Sequence, residues 1–144
     1  MKFSKLVFLL MIMNFYSCSS DIYRIKEYTA SFEKINEFII SKSLKEGNVF
    51  RIVKKNHFAI FKKAVKGSKL CSINYFPKLG IVYKFQCNNN SKDNFIDSDD
   101  KFYLIKILDE EAILLEYPQF LDYCKRPIKL NDNWFLIEQN ITYD

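Results

Sequence analysis

Four cysteines, one histidine and two runs of carboxylates are the residues of this 144-residue chain that could do chemistry. The cysteines are Cys18, Cys71, Cys87 and Cys124. Cys71 and Cys87 lie in two alternating apolar runs, Leu70 to Phe76 and Gly80 to Cys87, joined through Pro77-Lys78-Leu79-Gly80. That is the pattern of a β-hairpin. With the turn centred on Leu79, Cys71 faces Cys87, Ile73 faces Phe85 and Tyr75 faces Tyr83, all on one side of the sheet. Leu70, Ser72, Asn74, Val82, Lys84 and Gln86 take the other side, which is mostly polar. A slip of one residue would mix the two sets. Directly opposed β-carbons lie about 4.5–5.5 Å apart, close to the separation a disulfide requires. The pattern predicts a Cys71–Cys87 bridge, contributing on the order of 3 kcal/mol by loop closure. Two buried thiols, or a Cys87–Cys124 pairing, are the alternatives.

The other reactive types are poorly placed for catalysis. His57 is the sole histidine, so only one position could supply the base of a Ser-His-Asp or Cys-His site. A surface or edge role suits it better. No neighbour of Cys124 suggests an activated thiolate. No Cys-x-x-Cys or paired-His spacing points to zinc, and no Gly-rich loop could cradle a phosphate. Asp93, Asp97, Asp99 and Asp100 make an oxygen-rich loop. It lacks the turn glycine and the later glutamate of a calcium loop and reads as solvated. Asp109-Glu110-Glu111 fits a hairpin tip, where adjacent carboxylates do not form the opposed pair of a glycosidase. No catalytic residue, metal or cofactor is expected.

The N-terminus has a different pattern. Lys2 and Lys5 precede an unbroken apolar run, Leu6 to Met13. Asn14, Phe15, Tyr16, Ser17 and Cys18 follow. A charged start, a short apolar stretch and a small residue before the cut describe a secretory leader. The run is far shorter than the roughly 20 residues needed to span a bilayer. Cys18 after Ser17 resembles the lipobox of bacterial lipoproteins, over residues 1–18 only. Phe15 and Tyr16 depart from that family's usual Leu and small residue; Ser17 fits. The resemblance implies cleavage before Cys18, diacylation of its sulfur and acylation of the new amine. Residues 1–17 are then the signal peptide, 18–20 the lipidated cysteine with a polar tether, and 21–144 a single domain. A plain cleaved signal peptide is the alternative. It would leave four cysteines in a secreted protein and room for two disulfides.

Removing the leader also removes Lys2 and Lys5, leaving 20 basic against 17 acidic side chains, a net charge of +3. That is too mild to argue for nucleic acid. Lys54, Lys55, Lys62, Lys63, Lys66 and Lys69 do cluster in sequence. They could meet anionic headgroups or wall polymers beside an anchor, although an ordinary soluble Lys-rich surface is the preferred reading.

The elements that must carry these residues follow from periodicity. Ile22, Ile25, Tyr28, Phe32, Ile35, Phe38 and Ile39 recur at spacings of three and four, predicting one helix over Asp21 to Glu46 with a break near Thr29 to Ser31. Gly47 is placed to end it with positive φ. Val49 to Lys54 with His57 to Lys62, Lys101 to Leu108 with Glu111 to Tyr117, and Ile128 to Leu130 with Trp134 to Gln139 read as further hairpins. Pro118 to Lys125 reads as one helical turn. The predicted fold is α+β, one long N-terminal helix packed on an antiparallel, hairpin-rich sheet, strongly bent or barrel-like in the alternative.

The expected function is a small lipid-anchored cell-envelope protein acting as a non-catalytic binding module of inhibitor or immunity type. It would be held to the membrane through its N-terminal lipid and meet a protein partner in the envelope. A structural or assembly lipoprotein of an envelope complex is the alternative.

Overall fold

The computed structural model describes residues 25–56, 58–87, 102–116, 128–131 and 133–138. Among these the elements run α1 (Thr29–Ser41), β1 (Gly47–Asn48), α2 (Phe50–Lys55), α3 (Ala59–Ser68), β2 (Leu70–Phe76), β3 (Gly80–Phe85), β4 (Phe102–Ile107), α4 (Glu110–Glu116), β5 (Ile128–Asn131) and β6 (Trp134–Glu138). The six strands form one open antiparallel sheet in the order β1-β2-β3-β4-β6-β5. The expectation of one long helix on a hairpin-rich or barrel-like sheet is therefore corrected. Among the described residues four helices of 6 to 13 residues accompany an open sheet, and three stretches expected as strands are helical where described.

The core face expected of the N-terminal helix is the face that is buried. Ile25, Tyr28, Phe32, Ile35 and Ile39 all lie in the main apolar cluster. Among the described residues the helix is interrupted by a turn at Glu27 and Tyr28 and stops at Ser41, short of Glu46. Tyr28 sits at the start of α1 with no side-chain cap, and the Thr29 hydroxyl donates back to the Lys26 carbonyl at 3.2 Å, marking the break. At the other end Ser43 adopts φ 46°, and its N–H donates to the Ile40 carbonyl. The chain turns there, before Gly47. Gly47 does take positive φ, 117°, but at the entry to β1 rather than at a helix end.

Two of the expected strands fail for a common reason. Phe50 to Lys55 and Ala59 to Ser68 bury one residue per turn: Val53 in α2, and Phe61, Ala64 and Ser68 in α3. Such short apolar runs fit either period, and the cluster available for packing decides. The Phe50 and Phe61 rings, 4.9 Å apart, join the two helices. Glu111 to Tyr117, the third such stretch, begins inside α4. Asp109 Oδ1 accepts the Ala112 N–H at 3.0 Å as a helix cap, and Glu110 and Glu111 occupy the first turn, where carboxylates suit the helix dipole.

The sheet has two covered faces. One carries Ile73, Tyr75, Ile81, Tyr83, Phe85, Phe102, Leu104, Trp134 and Leu136 against α1, α2 and α3. The other carries Val82, Tyr103, Ile105, Ile107 and Ile137, with Ala112 and Ile113 of α4 against them. Gly80 is required where β3 meets β4, because a β-carbon there would collide with the Lys106 carbonyl oxygen. The helical turn expected over Pro118 to Lys125 lies outside the described residues. No helix among the described residues is long and apolar enough to cross a membrane.

Candidate functional site

The hairpin of β2 and β3 positions the chemistry that the sequence singled out. Its alternation holds, but its register is shifted by two residues: Ile73 pairs with Tyr83 and Tyr75 with Ile81. A two-residue shift preserves the faces, so Ile73, Tyr75, Tyr83 and Phe85 still share one side. It also takes Cys87 away from its expected position opposite Cys71. Two local distortions bring the cysteines together. The pairing passes from Leu70↔Phe85 directly to Ser72↔Lys84, leaving Cys71 as the extra residue of a bulge. Gln86 then adopts φ 57°, while its N–H donates to the carbonyl of Lys69, itself at φ 55°. The chain after β3 is thereby turned back, and Cys71 and Cys87 form a disulfide with α-carbons 6.1 Å apart. The Cys87 backbone N–H also approaches Cys71 Sγ at 3.1 Å.

Beside the disulfide lies an open groove of about 440 Å³, lined among the described residues by Asn48, Phe50, Arg51 and Cys71. Asn48 connects it to the interior. Its Oδ1 accepts the Phe50 N–H at 3.0 Å, and its Nδ2 donates to Ser72 Oγ at 3.1 Å. Ser72 Oγ donates in turn to Asn74 Oδ1 at 2.8 Å. The chain of bonds ends at Asn74 Nδ2, which is buried and has no partner. The groove offers a guanidinium, an aromatic ring and amide groups, a set suited to recognition of a polar or anionic group.

A second polar cluster joins α1 to the sheet. Lys106 and Trp134 are cross-strand neighbours on β4 and β6. Both reach Glu33: Lys106 Nζ donates to its Oε1 at 2.8 Å and Trp134 Nε1 at 2.6 Å. Asn36 Nδ2 donates to Glu33 Oε2 at 3.2 Å, and Asn36 Oδ1 accepts from the Tyr83 hydroxyl at 2.6 Å. Partial burial pushes the Glu33 carboxyl upward. The hydrogen bonds from Lys106, Trp134 and Asn36, with the Lys106 charge, outweigh it and hold the group below the usual range. Full burial, and then the Glu33 charge, raise the Tyr83 phenol well above its usual value, so it remains a neutral donor. A carboxylate held ionised by three donors is an anchor for α1 rather than a proton carrier. The sequence reading missed this cluster because its partners lie up to 101 positions apart. One signal was present: Asn36 is a polar residue within the buried stripe of Phe32, Ile35 and Ile39.

The remaining candidates divide simply. Asp109-Glu110-Glu111 forms a helix start instead of a hairpin tip. Cys18, His57, Cys124 and the loop with Asp93, Asp97, Asp99 and Asp100 lie outside the described residues. Among the described residues no group of three or more His, Cys, Asp or Glu side chains could hold a metal ion. Comparison with protein-family models, with curated proteins and with solved structures returned no match.

Proposed function

We propose that the chain is a lipid-anchored protein of the cell envelope whose mature domain is a non-catalytic module that binds a protein partner. The observation that carries this reading is the conjunction of a lipobox-like leader ending at Cys18 with a Cys71–Cys87 disulfide. Disulfides persist in oxidising compartments beyond the cytosol, and the leader supplies the route there. Acyl chains on Cys18 would confine the domain to a bilayer surface, each buried CH₂ contributing about 0.8 kcal/mol. Weak contacts with envelope partners then gain from local concentration. The groove at Asn48, Phe50 and Arg51 is the described concavity on which such a partner could engage a polar or anionic group.

Intact mass of the protein taken from its native membrane, with and without reductant, tests this. The expected mass is that of residues 18–144 plus two or three acyl chains, rising by about two hydrogens on reduction. A mass without lipid, rising by about four hydrogens, would instead describe a secreted protein with two disulfides.

A further inference from the structure

The chain has no acidic residue between Glu46 and Asp93. Within that interval α2 and α3 raise a dense set of cations. Arg51, Lys54 and Lys55 on α2, Lys62, Lys63 and Lys66 on α3, and Lys69 at its end are all exposed. Both helices turn their apolar residues into the main cluster, through Val53 and through Phe61 and Ala64, so their charged sides are what remains for solvent. None of these seven side chains has an ion-pair partner among the described residues. Soluble surfaces ordinarily intersperse the two signs. Among the described residues the repulsion among these like charges is left uncompensated, and a surface complementary to them is anionic.

We propose that the α2–α3 face docks on the anionic lipid headgroups of the bilayer. Ile52, 41% exposed on α2 between Arg51 and Lys54, favours this over nucleic acid. Lysine ammonium groups around an exposed aliphatic side chain suit a headgroup surface, whereas single-stranded nucleic acid is held by exposed aromatic rings. The address of this face rests on the anchored reading above. If Cys18 is lipidated, the seven residue-to-residue steps from Cys18 to Ile25 span at most about 25 Å. The domain is then held close to the bilayer, where the headgroup potential acts over about one Debye length, roughly 8 Å.

The test uses the mature chain, residues 18–144, carrying Cys18→Ser, which has neither lipid nor the apolar leader, so it reads the surface separately from the anchor. Its partition is measured on phosphatidylcholine vesicles with and without about one-third phosphatidylglycerol. Anionic vesicles are expected to bind at least about tenfold more protein, with the difference vanishing near 1 M salt. Lys62→Gln, Lys63→Gln and Lys66→Gln together should lower the anionic partition by about fivefold per lysine, while Arg at the same three positions should retain it. Equal partition on the two vesicles, or a Gln triple variant that binds like its parent, would overturn the proposal. So would a preference for a single-stranded oligonucleotide over anionic vesicles of equal charge. Loss of lipid in the intact-mass measurement would remove the anchor without touching this result.

Discussion

On the sheet face beneath α1, the strands contribute Ile73, Tyr83, Leu104, Trp134 and Leu136. On the opposite face the same strands contribute Ser72, Asn74, Lys84, Tyr103 and Ile137. Both sets are buried, but their polar groups are treated differently. Under α1, the Tyr83 hydroxyl, the Asn36 amide and the Trp134 N–H all end on partners, converging on Glu33. On the other face the relay from Asn48 through Ser72 stops at an unpartnered Asn74 Nδ2. Leaving a buried donor unmade costs about 1–3 kcal/mol. The Glu33 cluster under α1 thus closes its bonds, while the relay that reaches the groove leaves one unmade, as Ser68 Oγ on α3 also does among the described residues. The contrast implies that the Glu33 cluster serves stability, and that the relay, whose outer member Asn48 lines the groove, is less needed for it.

The largest effect should come from the face under α1. Phe32 is fully buried and its ring stacks on Tyr83 with centroids 4.2 Å apart. Phe32→Ala should cost about 3–5 kcal/mol, from lost transfer free energy and the cavity left beneath α1. Denaturant unfolding of the oxidised protein measures it. A cost below about 1.5 kcal/mol would mean that α1 contributes little to the core, and the contrast would fail.

How much of this was legible in the sequence depends on the range of the interaction. The β2–β3 alternation was readable because Ile73, Tyr75, Tyr83 and Phe85 repeat with the period of a strand. The disulfide agrees with the sequence reading, but the register that led to it is shifted by two, and local distortions at Cys71 and Gln86 bring the pair together. The bulge at Cys71 and the positive φ at Gln86 and Lys69 were not readable, because no glycine marks those turns. The buried stripe of α1 was legible from its 3.6 period, and so was the break near Thr29; its C-terminal end was not, because Ser43 rather than Gly47 turns the chain. Helices α2 and α3 were misread because Phe58-Ala59-Ile60-Phe61 has no period that separates helix from strand. For α4 the signal existed: Asp109 followed by Glu110 and Glu111 is a helix start, and a turn reading was preferred to it. The Glu33 cluster was out of reach in sequence, since Glu33 and Lys106 are 73 positions apart. The groove was out of reach too, because β1 and the bulged end of β2 form it only once paired.

A smaller effect, and one dependent on pH, should come from Glu33→Gln. The side chain is partly exposed, so screening limits its contribution. At neutral pH the substitution should cost about 1 kcal/mol, because the amide keeps an acceptor for Trp134 but loses the charge facing Lys106. The folded-state pKa of Glu33 lies below the ordinary glutamate value of 4.5. Its contribution is therefore complete above that value and is lost as pH falls through the lower, folded-state value. Stability of parent and variant should converge on acidification below about pH 4.5. A gap that is unchanged at pH 3 would place the effect in packing rather than charge.

The smallest effect should come from the relay that leaves a bond unmade. Ser72→Ala with Asn74→Val removes the inner two members of the relay together, so neither is left facing an abandoned partner. Asn48, exposed at the edge of the sheet, can turn its amide to water. Valine also suits a strand better than asparagine. The double variant should unfold at the same denaturant concentration as its parent, or be more stable by about 1 kcal/mol. A loss of 2 kcal/mol or more would show that the Asn74 amide is satisfied in solution. The relay and the Glu33 cluster would then be equivalent in how they hold their polar groups, and the contrast between them would be gone.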